Sequence, residues 1–298
     1  MIILDYSQIA LSNILPFQND LKHNTPEQTV DLIRHATIST IKSYKKKYAP
    51  EYGDVVIACD GKSYWRRDAF PNYKAMRKVN REKSDLDWKL IFDTLSQIRE
   101  DIKEHFPYKV VHVDKAEADD VIAALVKYSQ ENELLTEGLF EEPQKVLIVS
   151  SDKDFIQLQK NRNVRQWSPM QKKFIESSQK DIDEYIVTHI VKGDSGDGIP
   201  NILSKDDVFI NQERQKPMMK KRLAEFYEQG IDACRTDEEK RNYQRNIMLV
   251  NFDYIPKEIH NSIIEEYTNC KPKGDKMKIM DYLIKNRCRL LLDDIEEF

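Results

Sequence analysis

Four short apolar runs, each ending at or leading into carboxylates, constrain this chain more than any other feature. Ile2-Ile3-Leu4 ends in Asp5, and Val55-Val56-Ile57-Ala58-Cys59 ends in Asp60. Val110-Val111-His112-Val113 leads into Glu117, Asp119 and Asp120, and Val146-Leu147-Ile148-Val149 leads into Asp152 and Asp154. Runs this short and this apolar read as strands buried on both faces. Helical patterns fill the intervals, at about 27–48, 86–105 and 117–130. Parallel strands need a long crossover, usually a helix, so the alternation predicts an α/β fold with a mostly parallel central sheet flanked by helices. All four acidic groups then stand at carboxyl ends of strands, the edge at which open α/β sheets bind ligands. Val164-Arg165-Gln166-Trp167 is a further candidate strand.

Beyond about residue 178 the pattern changes to helices at 180–191, 217–229, 237–249 and 256–267, with no strand run of comparable strength. The expected division is therefore an α/β domain, 1–178, and a helical part, 179–298. Segment 62–85 interrupts the strand–helix alternation and is too basic and polar for a core, which predicts a mobile loop or arch. No apolar run approaches the roughly eighteen residues that cross a bilayer. Asp5 leaves no room for a signal peptide's apolar stretch, so a soluble, cytoplasmic protein with no membrane partner is expected. Cys59, Cys234, Cys270 and Cys288 form no CxxC and are expected to be reduced bystanders.

The net charge of −4 argues by itself against a nucleic-acid partner, but the distribution matters more than the sum. Lys62, Arg66, Arg67, Lys74, Arg77, Lys78, Arg81 and Lys83 crowd one segment, opposed there by Asp68 and Glu82 alone. Tyr64, Trp65, Phe70 and Tyr73 are interleaved with these bases, a mixture that suits a nucleic-acid strand better than a small nucleotide. Each feature has a plainer account: acids at strand ends as turn or cap residues, aromatic rings as packing, a basic run as a solvated face. Convergence decides against the plainer account of the acids. Two carboxylates about 4 Å apart repel by roughly 4 kcal/mol at an effective dielectric near 20, more than several caps contribute. A cluster of this kind needs a cation. With no HExxH, His pair or CxxC, the donors are hard oxygens, which selects Mg²⁺, with Mn²⁺ as a substitute, over zinc. The acids exceed what one hydrated Mg²⁺ requires, which favours two or more ions handling the attacking and leaving oxygens of an in-line displacement.

The order Asp5, Asp60, Tyr73-Lys74-x-x-Arg77, Glu117-Ala-Asp119-Asp120, Ser151-Asp152-x-Asp154-Phe155-x-Gln157-Leu158 and Gly193-Asp194-x-x-Asp197-Gly198-Ile199-Pro200 resembles the flap endonuclease family of 5′ nucleases, which are PIN-like in their sheet. The segments Leu4-Asp5-Tyr6-Ser7-Gln8, Tyr64-Trp65-Arg66-Arg67-Asp68, Gln166-Trp167-Ser168-Pro169-Met170 and Phe252-Asp253-Tyr254-Ile255-Pro256 are similar to its T-even bacteriophage branch, to the final Glu297-Phe298. The resemblance implies a Mg²⁺-dependent 5′→3′ exonuclease and flap endonuclease acting on DNA and RNA–DNA duplexes with 5′ ends, flaps or forks. Such enzymes remove RNA primers from lagging-strand fragments in phage replication. It implies that Asp5, Asp60, Glu117, Asp119 and Asp120 serve one metal position, and that Asp152, Asp154, Asp194 and Asp197 serve a second, some through water. Lys74 and Arg77 would grip the scissile phosphate and, with Asp120 and Asp152, make up the catalytic set, while Tyr73 would stack on a terminal base. Arg66, Arg67, Lys78 and Arg81 are further nucleic-acid contacts in the arch. A helix–turn–helix variant over about 186–222 would hold the downstream duplex through Lys192, Lys205, Lys220 and Lys221, with K⁺ an additional cation in its 193–200 loop. The stretch from Lys205-Asp206-Asp207 to Gln215 departs from this pattern, being more acidic than a duplex-gripping helix. Phage single-strand binding protein and sliding clamp are partners by resemblance, and a monomer is expected.

Two rival readings use the same residues: a catalytically silent module that binds branched junctions, and a PIN-type ribonuclease. The complete acid set disfavours the first, because a binder has no use for so many repelling carboxylates. The helical C-terminal part and the 193–200 loop disfavour the second. Asp152→Asn and Asp154→Asn should each abolish cutting while leaving salt-dependent duplex binding in place. Gel assays of cleavage beside filter binding check this, and retained cleavage in both variants removes the metal mechanism.

Overall fold

The computed structural model describes residues 1–131 and 144–298. These residues fall into two compact units, one of Met1–Lys62, Asp85–Glu176 and Glu258–Phe298, the other of Ser63–Ser84 and Ser177–Lys257. Both units are discontinuous in sequence and cut across a boundary at 178.

The first unit holds a six-stranded sheet: β1 (Ile2–Asp5), β2 (Val55–Cys59), β3 (Lys109–His112), β4 (Val146–Val149), β5 (Val164–Ser168) and β6 (Lys173–Ile175), in the order β3-β2-β1-β4-β5-β6. Every pairing is parallel except β5 with β6. The central position of β1 explains its uninterrupted apolar character: Ile3 pairs with Val56 on one side and Ile148 on the other. The chain builds outward from β1 to β2 and β3, then returns to place β4 on the opposite flank of β1. That reversal makes the carboxyl ends of β1 and β4 the topological switch point, where such sheets open a crevice.

The crossover from β1 to β2 runs through a helix expected at 27–48 and found at Pro26–Tyr52. Its start is set by a capping box, Gln28 N donating to Thr25 Oγ1 and Thr25 N to Gln28 Oε1, with Pro26 at the first helical position. Gly53 ends it at φ +79°. The next crossover helix, Trp88–His105, buries Ile91, Leu95, Ile98 and Ile102, a three-and-four spacing that keeps one stripe toward the sheet. Helix Ala118–Glu131 follows β3. Residues 258–298 return to this unit, and Ile279, Tyr282, Leu283, Cys288, Leu291 and Phe298 join the same core as Ile2, Leu4 and Ile57. A Cβ at Gly274 would lie 2.3 Å from the His105 carbonyl oxygen, so only glycine fits where this segment crosses the end of helix Trp88–His105.

In the second unit Gln179–Lys192, Lys220–Gln229 and Asp237–Val250 are helices, as the sequence pattern predicts. Segment 62–85, expected as a mobile loop or arch too basic and polar for a core, does contribute to one. It contains helices Trp65–Ala69 and Ala75–Glu82, and Phe70 and Tyr73 belong to a core with Ile190, Val191, Ile199, Leu223 and Phe226. The bases dominate its composition, but aromatic side chains anchor it. Helices Tyr6–Ile14 and Lys276–Lys285 and the short strand β6 have no counterpart in the sequence reading.

All four cysteines are free thiols. Among the described residues no helix is long and apolar enough to cross a membrane. Leu283→Ala should cost about 2–5 kcal/mol, as for a fully buried leucine. Urea unfolding of the whole chain measures it, and a loss under about 1 kcal/mol would remove residues 258–298 from the sheet unit's core.

Candidate active site

Asp5 closes β1, and its side chain does two jobs at once. Oδ1 accepts from Gln8 N at 3.2 Å, capping helix Tyr6–Ile14, and Oδ2 accepts from Ser150 Oγ at 2.9 Å. Ser150 follows β4, and its Oγ also accepts from Asp152 N at 3.1 Å, so one hydroxyl stitches the two strand ends of the switch point together. Asp152 Oδ1 in turn accepts from Asp154 N at 2.9 Å and starts the 3₁₀ turn Lys153–Lys160. Buried Gln166 on β5 fixes the same loop by donating to the carbonyls of Ser150 and Asp152 at 3.0 and 2.6 Å.

On the other flank Asp60 Oδ1 accepts from Ala118 N at 3.1 Å, placing the end of β2 against the start of helix Ala118–Glu131. The first turn of that helix carries half-buried Asp119 and buried Asp120. Asp120 Oδ2 accepts from the backbone N of Glu117, which is 1% exposed. Gly61 makes this approach possible: its N donates to Ala116 O at 2.7 Å, and a Cβ there would lie 2.5 Å from Val113 O. Ser150, Gln166 and Gly61 organise the rim, yet none of them is among the expected site residues, Gln166 figuring only in a candidate strand and a segment of resemblance. A serine directly after a strand and a glycine directly after Asp60 were the available signals.

Electrostatics reveal what the rim lacks. Burial first, then the charges of Asp60 and Asp152, push the Asp5 carboxyl from the ordinary 3.8 up to about 7, against the hydrogen bonds from Gln8 and Ser150. Asp5 therefore feels the fields of Asp60 and Asp152, and Glu117 and Asp120 are buried on the Asp60 flank. Among the described residues, no three His, Cys, Asp or Glu side chains close around a single point. The acids therefore line an edge of the sheet without three of them meeting at one point among the described residues. Such an edge fits Mg²⁺, which keeps several waters and takes one or two carboxylates plus substrate phosphate, rather than an ion that wants an all-protein shell.

The second unit holds Asp194 and Asp197 in the 193–200 turn. Asp194 N and Ile199 N exchange hydrogen bonds with each other's carbonyls, at 2.9 and 2.7 Å. Gly193, at φ +67°, could not carry a Cβ, which would meet Ile199 O at 2.2 Å. Asp194 Oδ2 lies 3.3 Å from His189 Nε2, and Oδ1 accepts from Gly196 N at 2.7 Å. The hydrogen bond from His189 is the largest cause of a carboxyl held below the usual range. Asp197 Oδ2 accepts from Tyr73 OH at 3.0 Å and lies 3.4 Å from Lys74 Nζ, while Oδ1 pairs with the Arg77 guanidinium. Lys74 sits in the left-handed region at φ +54°, its N donating to Asp197 O at 2.7 Å, so both backbone and charge tie it to this turn.

Two expected nucleic-acid contacts are corrected by burial. Arg66 is 3% exposed and its Nε donates to Leu249 O at 2.9 Å, so it braces the fold. Tyr73 is 3% exposed within the apolar core and presents no ring face for a base. Arg67, Arg77, Lys78, Lys192, Lys205, Lys220 and Lys221 are exposed, Arg81 is half-buried, and Lys74 is buried.

The raised Asp5 pKa has a defined pH signature. Between about pH 4 and 7 the folded chain holds a proton at Asp5 that the unfolded chain has released. That contribution is complete below pH 4 and is lost as pH climbs through 7. Asp5→Asn should therefore flatten the metal-free stability profile across this window and raise stability at pH 8, by up to about 4 kcal/mol. It should also remove most of the thermal shift that Mg²⁺ gives the unsubstituted protein. Differential scanning calorimetry in chelator and in Mg²⁺ reads both effects, and an Asn variant less stable than wild type at pH 8 contradicts the assignment.

Comparison with known proteins covers nearly the whole chain. Residues 2–188 match the model of the 5′-3′ exonuclease N-terminal resolvase-like domain, and residues 178–298 match that of the C-terminal region of T4 RNase H. The ribonuclease H of Enterobacteria phage T4 is 34% identical over 99% of this chain and 95% of its own length. A bacteriophage T5 protein co-crystallised with metal ions shares the fold, with a TM-score of 0.61 at 19% identity over 90% of this chain and 97% of that one. So does a T5 flap endonuclease variant solved as a pseudo-enzyme–product complex with DNA and metal ions, with a TM-score of 0.60 at 20% identity over 90% and 99% of the two chains. This chain belongs to the 5′-3′ exonuclease family, with the C-terminal region of the phage T4 ribonuclease H type.

Proposed function

We propose that this protein is a divalent-metal-dependent 5′ nuclease, a phosphodiester hydrolase with 5′→3′ exonuclease activity on RNA–DNA and DNA duplexes and flap endonuclease activity. Its biological task is removal of RNA primers from lagging-strand fragments during phage DNA replication. One observation carries the reading: a buried carboxylate, Asp5, stands at the β1/β4 switch point, its pKa raised by burial and by the acids at the neighbouring strand ends. A chain keeps such an arrangement where a cation is to be held. A junction-binding module would gain nothing from it.

We assign the first metal position to the edge formed by Asp5, Asp60, Glu117, Asp119 and Asp120, and a second to Asp152 and Asp154. Mg²⁺ is the preferred ion, since every donor is a hard oxygen, with Mn²⁺ able to replace it. When bound, the ions supply a deprotonated water nucleophile and neutralise charge on the departing oxygen. The chain's own residues do the rest. Ser150 and Gln166 hold the Asp5–Asp152 side of the edge rigid, and Asp60 fixes the helix that carries Asp119 and Asp120. Lys74 and Arg77 are positive groups held ready by Asp197, suited to a phosphate oxygen. Asp194 and Asp197 primarily fix the 193–200 turn, where K⁺ is a further candidate ligand of the backbone. Nuclease chemistry is assigned to 1–178 and duplex grip to 179–298. Phage single-strand binding protein and sliding clamp are the proposed protein partners, the protein is proposed to act as a monomer, and the host cytoplasm is the proposed location.

Digestion of a labelled 5′-flap and of a nicked RNA–DNA duplex, with and without Mg²⁺, tests the assignment. The flap should release one excised strand and the nicked duplex short 5′-phosphorylated products, with at least about a hundredfold loss in chelator. Lys74→Ala and Arg77→Ala should each slow the same reaction by about 10²–10³-fold, the range for removing one donor that stabilises transition-state charge. Cleavage that persists in chelator would end the metal-dependent reading.

A further inference from the structure

Asp206 is the acid that fits a phosphate-gripping segment least, and the structure gives it a use. We propose that helix Asp237–Val250 and Asp206 form a positioning device for duplex binding, in which a buried polar helix face fixes the backbone that carries Lys192 and Lys205. The kinetic part of this rests on the nuclease reading, and the binding part rests only on the assignment of duplex grip to 179–298.

Asn242 and Asn246 are 0% exposed and Arg245 is 9% exposed, all on one face of that helix. Buried amides and guanidinium groups persist only when their donors are used. Here the donors go to a carbonyl in the last turn of helix Gln179–Lys192 and to those of the following segment, which has no helix or strand to satisfy them. Asn242 Nδ2 donates to Ile202 O at 2.9 Å and Ser204 O at 3.2 Å. Asn246 Nδ2 donates to Ile190 O at 2.7 Å and Pro200 O at 2.8 Å, and Arg245 donates to Pro200 O at 3.0 Å. The carbonyls on either side of the 193–200 turn, at Ile190 and Pro200, are thus held by one amide.

Asp206 completes the device. Its carboxylate pairs with Arg241 at 2.7 Å and with Arg245, and its carbonyl accepts from Asn72 Nδ2 at 2.9 Å. Ion-paired in this way, it no longer repels a phosphate next to exposed Lys205. The turn and the 200–206 segment are therefore pinned at both ends, and Lys192 and Lys205 project from fixed backbone. A site held by such a supporting shell orients its binding groups before the ligand arrives.

The experiment compares the full chain with Asp206→Asn, Asn246→Leu and the conservative Asp206→Glu on flap substrates with a short or a long downstream duplex. Fluorescence anisotropy in chelator reads binding, and Mg²⁺ kinetics read KM and kcat. Wild-type affinity should rise with duplex length. Asp206→Asn and Asn246→Leu should each lose about tenfold of that gain; Asp206→Asn should leave kcat and short-duplex affinity unchanged, whereas Asn246→Leu also frees the turn that carries Asp197 and is read by binding alone. The slope of log Kd against log salt should fall by about one for each lysine that no longer reaches a phosphate. Asp206→Glu should restore the affinity. If Asn246→Leu does not fold, Arg241→Gln, at the exposed side of the pair, carries the same expectation. An equal loss on both duplex lengths, or a kcat effect without a KM effect in Asp206→Asn, overturns the proposal in favour of a purely structural role. Length-independent binding by the unsubstituted protein overturns it as well. Length-dependent binding without any cleavage would instead sink the nuclease reading and leave this inference standing.

Discussion

Placing β4 beside β1, with β2 already on the other flank, is the constraint on which the acid-lined edge depends. It brings the carboxyl end of the first strand next to that of the fourth, so Ser150 can donate to Asp5 while accepting from the backbone of Asp152. Asp5 cannot retreat to solvent from there. Its position is fixed by sheet hydrogen bonds below it and by the helix it caps above it. Burial and like charge then act on a group with no freedom to relieve them, and the carboxyl becomes a weak acid. Function here follows from topology first and from residue chemistry second.

The second unit solves a different problem with the same economy of parts. A long segment between two helices must keep its carbonyls satisfied without forming a strand or helix of its own. Side chains from helix Asp237–Val250 supply the missing donors, and Asp206 balances the positive charge this brings inside. Asp197 performs a related service for the basic segment, gathering Tyr73, Lys74 and Arg77 around one carboxylate. Acids in this unit organise cations and backbone, whereas acids in the sheet unit crowd one another.

Much of this was legible in the residue order. The strand runs, the crossover helices, the parallel sheet and the acid at each strand end follow from short-range periodicity and from where apolar runs stop. The basic segment was misjudged because composition averages over its residues: Trp65, Phe70 and Tyr73 are few, yet they decide that it packs. Arg66 and Tyr73 looked like ligands for nucleic acid because a sequence does not show which side chains of a helix or turn are buried. Ser150, Gln166 and Asn246 were passed over since their importance comes from partners far away in the chain.

Sequence alone determined the main strands, the crossover helices and their chemical equipment, because strand and helix periods and hard-oxygen donors are local properties of the chain. It also determined the family, since 34% identity runs across nearly its whole length. Tertiary structure decided which carboxylates share a field, which bases are ion-paired and which are exposed, and that residues 258–298 complete the core begun by the first strand. Those outcomes depend on strand order and on long-range burial, which arise only when segments distant in sequence compete for the same buried surface.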